Sequence, residues 1–459
     1  MTWKQTLFAI VFVAFLFLSL SQFFFSVGST FYDSQRLAQG LLLTAMGFLV
    51  CLHQGALVEL RATVSRGWAL FVGCLVLFLV FGIVSASLSA DIINSLMYVI
   101  KYALLFLLTV LIAVQYSHKF GHTLIALIVV FHCALILYST LFLTFALFDG
   151  APLKASIIYF GFDNIRFFNQ VQVFVLPFLV WFSTRKTFSS LAHLFIFLNL
   201  MFLFLGKGLG IALTWFLMCV ALLVFNKGLA LKMLIHAFSA YMLVAVLLIQ
   251  VSLAEAGNII TLDDSGRLSM WQALLESLEW HHLFVGIGPG VYSVVNGLSR
   301  FSHPHNMLLE LICEWGFIAC LAAIMLVFIT LRAYLSSVFQ RNCFSMGDAF
   351  LLSWMGGLCY SMVSGIFVMP VPQTLIFVTW GLLLGYIGQF VASSSAKQIS
   401  NVKSESRAAT DAPLDLLRIV SLVSALTYAT MVCLSVNAMS DDDIATQGPR
   451  LWLNGIRYL

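Results

Sequence analysis

Residue types and spacing that could do chemistry are concentrated in His303-Pro304-His305-Asn306. Proline is favoured at the first position of a helix. That would put His305 and Asn306 in the first turn of an apolar run continuing through Leu308, Leu309 and Leu311. A first helical turn has backbone N–H groups without intrahelical partners and carries the positive end of the helix dipole. Positive potential disfavours imidazolium, so His305 would stay neutral and able to accept a proton. Lys154, Arg166, Lys207, Arg267 and Arg300 fall on the same side of the chain's apolar runs. The planar fork of Arg pairs with phosphate through two hydrogen bonds. A neutral imidazole beside such cations is the arrangement of a general base next to a bound phosphate. The plainer alternatives are an interfacial histidine pair that caps a helix, and cations that snorkel to lipid headgroups. Glu310 and Glu314 lie deeper in the same run, as partners for the cations or as groups that orient the site, because an unpaired carboxylate there is costly.

The elements that must position these residues are membrane helices. The 459 residues are 61% hydrophobic and 9% charged, with a mean hydropathy of +1.02. A soluble domain carries about 25% charged residues. This composition excludes an ordinary soluble enzyme, a disordered chain and a nucleic-acid binder. The nine cysteines sit mostly in apolar runs, at Cys51, Cys74, Cys133, Cys219, Cys320, Cys359 and Cys433 among others, without disulfide or metal spacing. They read as small buried apolar side chains.

A membrane helix needs about 20 mostly apolar residues. Runs near that length fall at 7–27, 38–60, 67–89, 92–115, 122–148, 168–183, 190–205, 208–225, 231–253, 305–334, 349–369, 373–394 and 415–437. The expected fold is an all-α, polytopic membrane helix bundle of 12–13 transmembrane helices. The first run reads as an uncleaved span rather than a signal peptide. Loops alternate in charge. One set holds Arg61, Arg66, Lys119, Arg185, Lys186, Lys227, Arg341, Lys397, Lys403 and Arg407, and the other Asp33, Asp91, Asp149, Asp163, Glu255, Asp263, Asp264 and Asp441–Asp443. The positive-inside rule makes the first set cytoplasmic. Lys101 is the basic residue placed inside a span. The organisation expected is a bundle over 1–200, a second bundle over 201–394, a cytoplasmic linker over 395–414, and a last helix and tail over 415–459.

The one long external, periplasmic loop, 254–304, is expected to contain amphipathic helices. Leu268, Trp271, Leu274, Leu275 and Leu278 recur at helical spacing, with Asp264 or Ser265 as N-cap. Such a helix lies along the membrane surface with Trp271 and Trp280 at headgroup depth. His281 and His282 would sit at the same interface. Gly286-Ile287-Gly288-Pro289-Gly290 reads as a turn.

Taken in order, these residues resemble the O-antigen ligase/polymerase family of bacterial inner-membrane glycan transferases. The likeness covers residues 200–320. It runs from Lys207 in GKGLG, through Arg267 and Trp271 in GRLSMW and the Gly286-Ile287-Gly288 turn, to His305, Asn306 and Gly316. Arg166 fits an arginine that such proteins place in an earlier external loop. The resemblance implies a glycan donor on undecaprenyl diphosphate at the periplasmic face of the inner membrane. It implies transfer with inversion to a lipid A–core sugar or a pilin Ser/Thr hydroxyl, without metal or cofactor. Arg166 and Arg267 would hold the diphosphate and His305 would take the acceptor proton. Lys207, Arg300, His303, Asn306 and Trp271 would complete the binding site. Lys207 departs from the family's more usual Arg, and Ala319 from its usual residues at that place. No Arg-x15-Gly pair of the kind linked to some polymerases occurs in the external loops, which tilts the reading toward a ligase or protein O-glycosyltransferase. A polymerase would use the same site with a second lipid-linked repeat as acceptor. A transporter or flippase for an anionic glycolipid, and a scaffold without chemistry, are the readings from other classes. The partners expected are therefore the lipid-linked donor, its acceptor and membrane lipid.

Overall fold

A computed structural model describes residues 1–20, 31–52, 68–149, 162, 165–206, 208–251, 267–292, 303–339, 343–399 and 419–430. Among these the protein is all helical, and seven helices are apolar and long enough to cross a membrane. It is a multi-pass membrane protein. The helices are α1 (Trp3–Leu20), α2 (Phe31–Leu52), α3 (Trp68–Ser87), α4 (Ile92–Val114), α5 (His118–Phe148), α6 (Ile165–Ser183), α7 (Ser189–Leu205), α8 (Leu209–Phe225) and α9 (Lys227–Val251). They continue with α10 (Arg267–Ser277), α11 (Trp280–Val285), α12 (Met307–Trp315), α13 (Phe317–Ser337), α14 (Met346–Ser361), α15 (Pro370–Ile399) and α16 (Ile419–Thr430).

In lipid every backbone polar group must be satisfied inside the protein, so apolar runs become helices. Their ends are set by side-chain caps. Asp91 accepts from Asn94 N at 3.2 Å to start α4, and Ser117 accepts from Phe120 N at 3.2 Å to start α5. Ser345 and Asp348 form a reciprocal capping box on α14.

The core of the bundle is α4 against α15. Within their apolar windows 72% and 78% of residues are buried, against 28% for α9 at the edge. Outward faces stay apolar, as at Leu213, Phe216, Val220 and Leu223 on α8. Hydrogen bonds between helices fix the register. Thr109 Oγ1 donates to Phe377 O at 2.9 Å, joining α4 to α15, and Trp380 Nε1 donates to Thr330 Oγ1 at 3.0 Å, joining α15 to α13. Gln172 Nε2 donates to Asn199 O at 2.8 Å, joining α6 to α7.

Against the 12–13 spans expected, seven of the described helices are long and apolar enough to cross a membrane, and several elements differ from the expected bounds. The run 305–334 is two helices, broken at Gly316, whose φ is 85°. There a Cβ would overlap the carbonyl of Phe284, so only glycine lets the two chain segments touch. The start of α2 is Phe31 rather than 38, because polar residues there find buried partners. The helix expected over 267–280 is split into α10 and α11. Finally, α15 runs to Ile399, into the expected linker. Cys359 is exposed, whereas Cys74, Cys133, Cys219 and Cys320 are buried as expected. Residues 400–418 and 431–459 lie outside the described residues.

Gly316→Ala should lower the thermal stability of the detergent-solubilised protein by at least about 1–3 kcal/mol, since a side chain there is strained and obstructed. Gly73→Ala, with no atom within 4 Å of the new methyl, is the control and should be neutral or stabilising.

Candidate functional site

The segment His303–Asn306 is an irregular turn ahead of α12. Asn306 is the N-cap, and its side-chain oxygen accepts from Leu309 N at 3.1 Å. Neither His305 nor Asn306 is therefore inside the first turn as expected. Asparagine caps well because it satisfies an orphan N–H, and it displaces the helix start to Met307. His305 has φ 53°, the left-handed region that costs a non-glycine residue energy and persists only where neighbours enforce it. Its backbone N–H donates to His303 Nδ1 at 3.2 Å, and the two rings lie 4.0 Å apart between centroids. His303 is buried, and His305 stands at the positive end of the α12 dipole.

Three elements converge on this turn. Trp271 Nε1 donates to Pro304 O at 2.7 Å, which docks α10 on the turn. Arg267 opens α10, one helical turn from Trp271 and on the same face. Gly365 packs on the His303 ring, where a Cβ would lie 2.6 Å from Cε1. The residue before it, Ser364, accepts from Gln170 Nε2 on α6 at 2.7 Å. Arg166 lies in the first turn of α6, one turn ahead of Gln170. On the same face, Asn169 packs on Gly208, the neighbour of Lys207, with a Cβ at Gly208 falling 2.8 Å from Asn169 Nδ2. The structure therefore brings His303, His305, Asn306 and Trp271 together. It ties the helices that carry Arg166 and Arg267 to the same end of the bundle. Lys207 and Arg300 lie outside the described residues, as do Lys154, Asp263, Asp264 and the expected cap Ser265.

Met270 and Leu274 face inward, while Leu268 and Leu275 are exposed. Leu274 packs with Tyr292 and Cys313. The Trp271–Pro304 bond fixes the rotation of α10 and so selects which leucines are covered.

Glu314 holds the glycine-rich turn. Its carboxylate accepts from Gly290 N at 2.8 Å and from Tyr292 N at 3.3 Å. Its own carbonyl accepts from Gly288 N at 3.1 Å and from Ser85 Oγ at 2.6 Å. Glu314, expected either as a partner for the cations or as an orienting group, thus orders backbone. Below the histidine turn an apolar cavity of about 310 Å³ is lined by Met307, Leu308, Trp315, Phe367, Phe377 and others, with Glu310 as its acidic side chain.

Sequence reasoning overlooked Asn169, Gln170 and the 362–369 connection. The signal was present: the amides in Asn169-Gln170-Val171-Gln172 interrupt an apolar run, and polar groups in a span rarely stand idle. It also overlooked Arg36, which is buried on α2, so Lys101 is not alone as a basic residue within a helix of the bundle.

No protein-family model matches the chain, and no curated protein matches it.

Glu314→Gln keeps the size of the side chain but turns an N–H toward a backbone donor. It should cost about 1–3 kcal/mol, read as a lowered unfolding midpoint in detergent.

Proposed function

We propose that this chain is a metal-independent glycosyltransferase that moves a glycan from undecaprenyl diphosphate onto an acceptor hydroxyl. The acceptor is a lipid A–core sugar or a pilin Ser/Thr. The proposal places the protein in the bacterial inner membrane with 12–13 spans, 254–304 as its long periplasmic loop, and the site at the periplasmic face. One observation carries most weight. The histidine turn sits directly above an apolar cavity, and the helices bearing Arg166 and Arg267 are anchored around it. A polar turn over an apolar cavity, with two arginine-bearing helices tied to the same segment, suits a substrate with a diphosphate head and a prenyl tail.

In this reading His305 takes the proton of the acceptor hydroxyl. The acceptor oxygen attacks C1 of the sugar, and the bond from C1 to the diphosphate oxygen breaks on the opposite face, with inversion. The electron pair leaves with the diphosphate. Arg166, Lys207 and Arg267 hold the charge that grows there, which lowers the barrier in a site shielded from water. Arg300, His303, Asn306 and Trp271 position the two substrates.

A polymerase would use the same groups. A transporter draws support from the break at Gly316 and from the buried cations, since interrupted helices and charges within the bundle are features of carriers. Translocation of a glycan-lipid in liposomes without any transfer would favour that alternative.

His305→Ala should slow glycan transfer by purified protein at least ~100-fold, the usual contribution of a general base. Transfer at the wild-type rate rules out the base assignment. Deleting the gene should leave full-length glycan on the lipid carrier. Single repeats on the normal acceptor would instead identify a polymerase.

A further inference from the structure

Arg36 is 4% exposed, near the start of α2. Its Nη2 donates to Val368 O at 3.0 Å and to the Tyr32 hydroxyl. The guanidinium lies over the Tyr32 ring, 5.1 Å from its centroid. Nε and Nη1 are buried and have no hydrogen-bond partner among the described residues. Among the described residues, the titratable groups that act on Arg36 are the phenols Tyr32, Tyr98 and Tyr428. A guanidinium stays charged at any accessible pH and cannot escape the cost of burial by losing its proton. Unused donors on a buried cation are costly unless an acceptor comes to them.

Further polar groups surround Arg36. Lys101 is also buried, and its Nζ lies 3.7 Å from the centroid of the Tyr98 ring. The N-terminal end of α15, with its positive dipole, starts at Pro370, just past Val368. Gln39, one turn along α2, donates to Pro370 O at 3.0 Å and keeps its own Oε1 without a partner among the described residues. The location is informative as well. Val368 and Gly365 belong to the same short connection between α14 and α15, so Arg36 and His303 are held by one segment.

We propose that Arg36 is a phosphate ligand. Its Nε–H and Nη1 hydrogens bind the diphosphate of the lipid-linked donor. The identity of that anion rests on the transferase reading. The anion site itself rests on the buried guanidinium.

The test is equilibrium binding to the full-length protein in phosphatidylcholine nanodiscs. The probes are undecaprenyl diphosphate, undecaprenol and inorganic pyrophosphate, with Arg36→Gln, Arg36→Lys and Tyr32→Phe compared with wild type. Arg36→Gln should weaken undecaprenyl diphosphate binding about 10- to 100-fold, the loss expected for charge-assisted hydrogen bonds. Undecaprenol binding should be unchanged. Arg36→Lys should fall between, and Tyr32→Phe, which leaves the unused donors intact, should bind like wild type. Pyrophosphate should compete on wild type and not on Arg36→Gln. Equal affinity of wild type and Arg36→Gln for the diphosphate overturns the proposal. So does an equal loss for undecaprenol, which would make Arg36 a tie for Val368 only. Displacement of the probe by added phosphatidylglycerol would assign the site to bulk lipid headgroups and also overturn it. If Arg36→Gln abolishes diphosphate binding while wild type transfers no glycan, the anion site stands and the transferase reading falls. If Arg36→Gln transfers glycan and binds donor normally, the reverse holds.

Discussion

A backbone that leaves the helix inside a lipid-facing bundle must find its hydrogen bonds within the protein. Around residues 286–292 it finds three of them on one residue. Glu314 takes the N–H groups of Gly290 and Tyr292 on its carboxylate, and that of Gly288 on its carbonyl. The carboxylate is kept from water by the turn it organises. Ile287 N meanwhile donates to Cys313 O at 2.8 Å, so the turn is bound to α12 along its length. Since α12 begins at the histidine turn and ends at Gly316, the pose of His303–Asn306 depends on this bond set. A carboxylate that gathers backbone donors is worth more here than in water, because the alternative is an exposed amide in an apolar medium.

The same constraint explains the helix break. The chain at Gly316 adopts a conformation open to glycine and passes against Phe284 and Val285. Trp315, next to it, stacks on Phe78 at 4.5 Å between centroids and meets Tyr102 edge-on at 5.0 Å. The aromatic cluster fixes the lower end of α12 while Asn306 fixes its upper end. Between them the helix is too short to span, and it works as a rigid post under the site.

The all-helical class and the places of many helices were legible in the sequence because lipid imposes a simple rule: apolar runs of sufficient length become helices. The bounds of α4 and α8 fall within a residue or so of the apolar runs at 92–115 and 208–225. Departures occur where a polar residue has a tertiary partner that local pattern does not reveal. Arg36 lies in the extension of α2 ahead of residue 38, where its side chain meets Val368, more than three hundred positions away in the chain. The break at Gly316 was hidden because the residues on both sides are apolar and only a distant carbonyl demands the glycine. In the candidate site, His303, His305, Asn306 and Trp271 were readable as a cluster from type and order. Their mutual geometry was not: the left-handed His305 and the docking of α10 through an indole N–H arise from contacts between separate segments. Gln170 and Gly365 link α6 to the turn through Ser364, and nothing in local spacing announces such a bridge.

The connection at residues 362–369 joins only α14 to α15 in sequence, yet it receives side chains from α2, from α6, from the histidine turn and from α15 itself. Gln373 Nε2 reaches back to Phe367 O at 2.6 Å, Arg36 takes Val368, Gln170 takes Ser364 and His303 rests on Gly365. Helices far apart in the chain are thereby lashed to a single strap. Their tips cannot splay one at a time: displacing any of them drags the strap, and the strap drags the rest.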